Sequence, residues 1–114
     1  MGERGGRPPG GEPDVFAALA DPTRRLLLER LAGGERTVTE LTEGLAMSQA
    51  AISQHLRLLR QTGLVEVRQD GRFRHYGLRP DGFAALRDWL AALDEFWRRG
   101  VAALDSYLAG SDEG

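Results

Sequence analysis

The 114-residue sequence contains no cysteine, which excludes disulfides, thiolate metal sites and thiol catalysis. No stretch approaches the roughly 18 consecutive apolar residues of a membrane-spanning helix, and the first residues contain no apolar signal region. We therefore expect a cytoplasmic protein that does not contact membranes. Lysine is also absent, so all 15 basic side chains are arginines, a bias that a GC-rich genome explains as well as function does.

The net charge of −2 is unevenly distributed along the chain. Residues 48–80 carry six arginines against Glu66 and Asp70, a net of +4, whereas residues 1–47 and 81–114 have nets of −2 and −4. A local concentration of positive charge is typical of a surface that contacts phosphate groups. The length suits one domain with a modest core, and the basic part is its first candidate for a functional surface.

A capped amphipathic helix is predicted within this basic part, between Ser48 and Gly63. Ser48 suits the N-cap position, and Gly63 can adopt the left-handed conformation that ends a helix. Spacings of four and three residues place Ile52, Leu56 and Leu59 on one apolar stripe. The opposite face has only short, polar or cationic side chains: Gln49, Ala50, Ser53, Gln54 and Arg57. Such a face suits the major groove of DNA, although a core helix with a solvated face has the same pattern.

Shorter helices are predicted before this one. Residues 1–13 are mostly glycine, proline and charged residues, which predicts a disordered arm. Asp14 can cap a short helix, and Asp21 followed by Pro22 starts a second helix that we expect to end at Leu31.

A third short helix is predicted from the segment Thr37 to Glu40, which fits a capping box. Val38, Leu41 and Leu45 form its apolar side, and a short break after Leu45 leads to the longer helix. Two helices joined by a turn of three or four residues form a helix–turn–helix.

After the longer helix the apolar period changes from about 3.6 to 2. Val65 and Val67 fall on one face of a predicted strand, and the Asp-Gly dipeptide at residues 70–71 favours a tight hairpin turn. Arg72 and Arg74 share a face of the returning strand. A hairpin with arginines near its tip, directly after a helix–turn–helix, is typical of a wing that contacts phosphate or a narrow minor groove. A plain surface hairpin has the same alternation.

The last predicted helix begins after Asp81 and ends at about Leu108, followed by a disordered tail over residues 109–114. Its apolar residues follow the a/d spacing of a coiled coil, and further aromatic residues widen the stripe. Closing the protein's own core needs only a narrower stripe, so we predict a homodimer through the terminal helices. The predicted dimerisation residues are Val15, Phe16, Leu19, Leu86, Trp89, Leu90, Leu93, Phe96, Trp97 and Val101.

The predicted fold is mainly α with a small β-hairpin (α+β), a winged helix–turn–helix over residues 14–108 that combines DNA binding and dimerisation. With these elements in order, the sequence resembles the ArsR-type (ArsR/SmtB) winged-helix repressors over roughly residues 14–100. The matching segments are residues 19–25, 48–59, 63–65 and 70–76. The resemblance implies a dimer that occupies an operator near a promoter and blocks transcription, with an inducer that lowers DNA affinity.

Two departures from the ArsR-type pattern concern metal sensing. Thr37-Val38-Thr39 stands where many members have a Cys-x-Cys pair, and hydroxyls do not replace thiolates for soft ions. No histidine follows His75, so the C-terminal ligands of other members are missing as well. We therefore expect no metal. His55 matches the histidine usual in the family's recognition helix, which indicates a packing or DNA-proximal role.

The sequence thus predicts a sequence-specific DNA-binding transcriptional regulator, in the first instance a dimeric repressor. The helix capped by Ser48 would enter the major groove, and the wing would contact the flanking backbone or minor groove. Expected partners are double-stranded operator DNA, a second copy of the chain and an unidentified small-molecule inducer, without a cofactor. The expected DNA-binding residues are Ser48, Gln49, Ala50, Ser53, Gln54, His55, Arg57, Arg68, Arg72 and Arg74.

Two other functions were weighed. A winged helix used only for protein–protein contact is the alternative, and the basic surface argues against it. An enzyme is not expected, because the sequence offers no nucleophile–base pair, metal-ligand cluster or phosphate-binding loop.

Overall fold

The structure is a computed structural model that describes residues 14–113, so the arm predicted for residues 1–13 lies outside the described residues. The described chain divides into two compact units at the boundary between Phe83 and Ala84. In chain order the elements are α1 (Val15–Leu19), α2 (Pro22–Leu31), α3 (Val38–Thr42), α4 (Gln49–Gln61), β1 (Val65–Asp70), β2 (Phe73–Leu78), a 3-10 turn (Pro80–Phe83) and α5 (Ala84–Glu113).

The short helices begin where the sequence predicts N-caps. Asp14 accepts from the backbone N–H of Ala17 at 2.7 Å, and Asp21 accepts from the N–H groups of Thr23 and Arg24 at 2.7 and 3.1 Å. The capping box of α3 is also present, with the Thr37 N–H donating to Glu40 at 2.8 Å. Each cap satisfies N–H groups that a helix start leaves without partners.

The connection between α3 and α4 is longer than predicted. Helix α3 ends at Thr42, because Glu43 leaves the helical region at φ −55° and ψ 128°. Residues 43–48 therefore join the two helices, rather than a turn of three or four residues. Leu45 lies in this connection and still packs against the core, so the apolar spacing is correct although the helix is shorter.

The core of the first unit is formed by α1, α2, α3, α4 and the hairpin. Ile52, Leu56 and Leu59 of α4 are completely buried, which confirms the predicted stripe. Burying one such side chain contributes about 1.5–3 kcal/mol. The remaining buried residues are Ala18, Leu27, Leu28, Leu31, Leu41, Leu64, Val65 and Tyr76.

Strands β1 and β2 form an antiparallel hairpin, the predicted wing, which follows α4 after Gly63 at φ +81°. Asp70 pairs with Phe73, so the two turn residues are Gly71 and Arg72, one position later than the predicted dipeptide. Gly71 begins the turn at φ +62°, a conformation that glycine adopts without strain.

An isolated bridge joins the wing to the helices. Backbone hydrogen bonds of 3.0 and 2.8 Å connect Arg36 with Tyr76, just before α3 begins. Val65 and Tyr76 are buried in the core, and Val67 packs against it, so the inner face of the wing is anchored by both apolar contacts and backbone bonds.

The second unit is helix α5. It begins at Ala84, after the 3-10 turn, and continues to Glu113 instead of ending at Leu108. Residues 109–113 are thus helical rather than a disordered tail. Two hydrogen-bonded ion pairs with i, i+4 spacing lie along it: Arg98 donates to Asp94, and Arg99 donates to Glu95 at 3.2 Å. No helix in the described part of the chain is both long and apolar enough to cross a membrane.

Candidate nucleic-acid interface

One face of α4 is exposed along the helix and contains no acidic residue. The hydroxyl of Ser48 caps the helix by accepting from the Ala51 N–H at 3.1 Å. The exposed side chains offer amides, hydroxyls, a methyl group and one guanidinium, which are the groups that contact base edges and phosphates in a major groove. Six predicted residues lie on this face: Ser48, Gln49, Ala50, Ser53, Gln54 and Arg57.

Gln49 has a partner that the sequence analysis missed. Its Nε2 donates to the hydroxyl of Thr39 at 3.2 Å, which connects the start of α4 to α3. A bidentate contact with adenine uses both the amide nitrogen and the amide oxygen. Thr39 therefore orients the Gln49 amide in the DNA-free protein.

His55 is half-buried and not on the exposed face of α4. Its Nδ1 lies 3.3 Å from Nη1 of Arg24, and Arg24 also donates to the carbonyl oxygen of Ala18 at 2.8 Å. The pair joins α4 to α1 and α2. The structure thus places His55 in a contact between helices, as the packing alternative expects, and its contact with DNA stays a prediction.

Asp21 completes this cluster. Burial by itself would raise the pKa of its carboxyl, but the N–H groups of Arg24 and Thr23 donate to it and lower the pKa, and the charges of His55 and Arg24 act in the same direction. The carboxylate is 4.0 Å from Arg24 Nη1. Arg24 is therefore compensated within the protein.

The tip of the wing presents two arginines. Arg72 occupies the exposed turn, and the guanidinium of Arg74 lies 5.7 Å from the ring centre of Tyr76. That distance is within the range of a cation–π contact, which orients Arg74 along the wing. Both predicted residues are exposed and positioned to meet an anionic surface.

Arg68, the third predicted arginine of the wing, is already paired. Its Nη2 donates to Oε1 of Glu35 at 2.8 Å, and its Nη1 lies 3.8 Å from Asp70. The hydrogen bond from Arg68 lowers the pKa of the Glu35 carboxyl, and the same bond raises the pKa of Arg68. The positive charge of Arg68 is therefore less available to phosphate than that of Arg72.

A groove between α4 and β1 contains two arginines that the motif analysis did not assign to the interface. Arg57 and Arg60 line it from α4, Glu66 lines it from β1, and Arg79 follows β2. The groove has a volume of about 450 Å³. The i, i+3 spacing of Arg57 and Arg60 is a local signal for their shared position, but only the tertiary structure brings Arg79 to them.

The predicted dimerisation residues fall into two groups. Val15 and Leu19 are partly buried against the core of their own unit, whereas Phe16 is exposed. Leu86 is half-buried. The others form an exposed apolar stripe along α5: Trp89, Leu90, Leu93, Phe96, Trp97 and Val101.

Metal-binding side chains are not clustered in residues 14–113. No group of three histidine, aspartate or glutamate side chains in that range is arranged to hold an ion. The hydroxyls of Thr37 and Thr39 instead take part in the α3 cap and in the contact with Gln49.

A helix–turn–helix with an exposed, acid-free second helix and an arginine-tipped hairpin defines the class as winged-helix DNA-binding proteins. Residues 21–67 match the sequence model of the family described as bacterial regulatory protein, arsR family. The chain belongs to this arsR family of bacterial regulatory proteins, and it is a DNA-binding transcriptional regulator.

Known relatives cover most of this chain. The HTH-type transcriptional regulator Rv2034 of Mycobacterium tuberculosis (strain ATCC 25618 / H37Rv) is 48% identical over 76% of this chain and 78% of the relative. The transcriptional repressor SdpR of Bacillus subtilis (strain 168) is 34% identical over 68% of this chain and 86% of the relative. The solved ArsR-like transcriptional regulator from Rhodococcus sp. RHA1 is 33% identical, with a TM-score of 0.65 over 79% of this chain and 85% of the other. These likenesses confirm the predicted family and fold.

Proposed function

We propose that this regulator is a homodimeric repressor that contacts operator bases through the exposed face of α4 and flanking phosphates through the wing. The observation that carries the proposal is the acid-free face from Ser48 to Arg57, opposite a completely buried apolar stripe. A helix start of this composition can approach base edges without repulsion from phosphate. Because its partner is chromosomal DNA, we place the protein in the cytoplasm.

The proposed dimer rests on helix α5. Phe96 is 75% exposed and Trp97 is 69% exposed in the single chain. Leu90, Leu93 and Trp97 follow a/d spacing, so a second copy offers a matching stripe. A contiguous exposed apolar surface of this kind marks an interaction site. Two recognition helices held by such a dimer would contact half-sites about 34–36 Å apart.

The same stripe is the candidate site for an organic inducer. A depression of about 500 Å³ on α5 is lined by Leu90, Leu93, Phe96 and Trp97, with Asp94 at its side. A ligand that fits this surface is apolar or aromatic. Its binding would lower DNA affinity by changing how the two copies meet.

Binding to DNA fragments that include the protein's own promoter tests the proposal. We expect a saturable complex that resists excess random DNA and weakens steeply between two salt concentrations. Ala50→Glu places an acid on the α4 face and should abolish this complex. Ala32→Glu makes the same change at an exposed position at the end of α2 and should preserve it.

Two results would contradict the proposal. Loss of all binding in the presence of random DNA would leave only a basic surface and favour a protein–protein module. Equal binding by wild type and Ala50→Glu would show that α4 does not face the DNA.

A further inference from the structure

The groove lined by Arg57, Arg60, Glu66 and Arg79 has a net positive charge that neighbouring acidic groups do not neutralise. Three arginines line it against one glutamate. Elsewhere in the first unit, Arg24 and Arg68 are held by hydrogen bonds and ion pairs. No hydrogen bond or ion pair holds the side chains of Arg57, Arg60 or Arg79 within the part of the chain that the structure describes.

The position of the groove constrains what can occupy it. Its walls are the C-terminal half of α4 and strand β1 of the wing, with Val65 and Val67 as apolar lining. A duplex that receives α4 in its major groove and the wing in the adjacent minor groove must pass one strand between them, since a sugar–phosphate backbone separates neighbouring grooves. That strand would cross the opening between α4 and β1.

We propose that this groove binds a phosphodiester of the DNA strand that separates the two grooves, with Arg60 and Arg79 as phosphate-contacting residues alongside Arg57. The inference rests on the proposed function, because it requires α4 and the wing to engage the same duplex. Guanidiniums bind phosphate oxygens through paired N–H donors. Glu66 is the one acid in the lining and opposes the phosphate.

The groove also fixes the relation between helix and wing on DNA. Arg57 and Arg60 come from α4, whereas Arg79 follows β2 and its backbone N–H donates to the carbonyl oxygen of Leu64 at 2.9 Å. A single phosphodiester held by both sides makes the wing and α4 bind in one register. A free phosphate compound has the same anionic chemistry, and the experiment has to separate the two sources.

The test measures operator affinity against salt for four full-length variants. Each lost phosphate contact lowers the magnitude of the slope of log K against log salt by about 0.9. The slope should fall in magnitude by about 0.9 for Arg60→Gln and for Arg79→Gln, and by about twice as much where a dimer carries two grooves. Arg99→Gln removes the same charge from α5, where Arg99 pairs with Glu95, and should leave the slope unchanged.

Glu66→Gln removes a negative charge from the same groove, whereas the arginine substitutions remove positive charges. It removes the only carboxylate in the lining without adding bulk, so DNA affinity at low salt should rise above that of the wild type. A thermal melt of each variant separates these effects from unfolding, and the exposed positions of Arg60, Glu66 and Arg79 favour intact folds.

Three outcomes overturn the inference in different ways. If the wild-type protein does not bind DNA, both the proposed function and the inference are wrong. If the wild type binds DNA and both Arg60→Gln and Arg79→Gln keep its salt slope, the inference is wrong but the proposed function stands. Inorganic pyrophosphate, titrated into DNA-free protein at constant ionic strength, serves as the other probe. Saturable pyrophosphate binding that Arg60→Gln abolishes, with an unchanged DNA slope, assigns the groove to free phosphates instead.

Discussion

Arg68 of strand β1 donates from Nη2 to Oε1 of Glu35 at 2.8 Å, and its Nε lies 3.2 Å from the same oxygen. Glu35 lies just before α3, next to Arg36, whose backbone pairs with Tyr76 of β2. The wing is therefore connected to the helices by a charged pair beside a backbone bridge. This arrangement distinguishes Arg68 from Arg72, although both are arginines of the same hairpin.

The difference between these two arginines predicts unequal effects on DNA binding. Arg72→Ala should weaken binding to all sequences similarly and lower the magnitude of the salt slope by about one unit for each wing on the DNA, because each exposed wing-tip arginine loses one phosphate contact. Arg68→Ala should change the slope less, since Glu35 and Asp70 already compensate its charge. Affinity measured over a salt series gives both slopes. A larger slope change for Arg68→Ala would mean that the Glu35 pair breaks on DNA.

The Glu35–Arg68 pair also predicts a dependence of stability on pH. Hydrogen bonding to Arg68 places the folded pKa of Glu35 below its ordinary value of 4.5, so the folded state binds fewer protons than the unfolded state. The stabilisation is complete above that ordinary value and is lost as the pH falls through the lower folded pKa. Glu35→Gln should thus be less stable than wild type at neutral pH, and the two should converge in acid.

Urea unfolding at several pH values measures this difference. Glu29→Gln is the matched control, because Glu29 is exposed and forms no ion pair among residues 14–113. A gap between wild type and Glu35→Gln that persists unchanged at the lowest pH would rule out the ionic pair as its source. Since the pair is exposed, added salt should also narrow the gap at neutral pH.

Gln49 is expected to discriminate between bases. Gln49→Ala should cost about 1–3 kcal/mol on the cognate operator, the usual value of a bidentate contact, and much less on random DNA. Thr39→Val removes the hydroxyl that Gln49 donates to and keeps the Gln49 side chain. Thr39→Val should keep the preference of Gln49 for its cognate base, while the affinity for the operator changes. Equal losses on operator and random DNA for Gln49→Ala would contradict the assigned role.

The stripe on α5 predicts a concentration-dependent dimer. Trp97→Ala should raise the dimer dissociation constant, because the exposed Trp97 side chain would bury a large apolar area in the proposed dimer. Arg98→Ala is a control on the same helix, where Arg98 pairs with Asp94 and Glu95. Sedimentation equilibrium compares the two variants with the wild type. A monomeric wild type at micromolar concentration would contradict the dimer.

The features that sequence analysis predicted correctly are local ones. Ser48 caps α4, Ile52 and Leu56 are buried on its inner face, and the chain turns at Gly71. Caps, helical periodicity and turn conformations all depend on residues within a few positions of one another. The exact ends of α3 and α5 were wrong, because helix ends also depend on packing and on alternative turn geometries.

The contacts that sequence analysis did not predict at the site join residues that are distant in the chain. His55, for which the sequence leaves open a packing or a DNA-proximal role, pairs with Arg24, which is 31 positions away. Arg68 pairs with Glu35, which is 33 positions away, and its phosphate contact stays a prediction. Val15 and Leu19 pack partly on the protein's own core, and their part in a dimer stays a prediction. Nothing in the spacing of these residues indicates those contacts.

The sequence by itself determined that this protein has a capped helix with one buried and one polar face, followed by a basic hairpin. Those properties follow from backbone conformation and periodicity, which neighbouring residues set. Only the tertiary structure decided which arginines remain available to an anion. Arg24 and Arg68 are compensated by groups distant in the chain, whereas Arg57, Arg60 and Arg79 converge on one groove. Charge compensation depends on distance in space, which the order of residues does not contain.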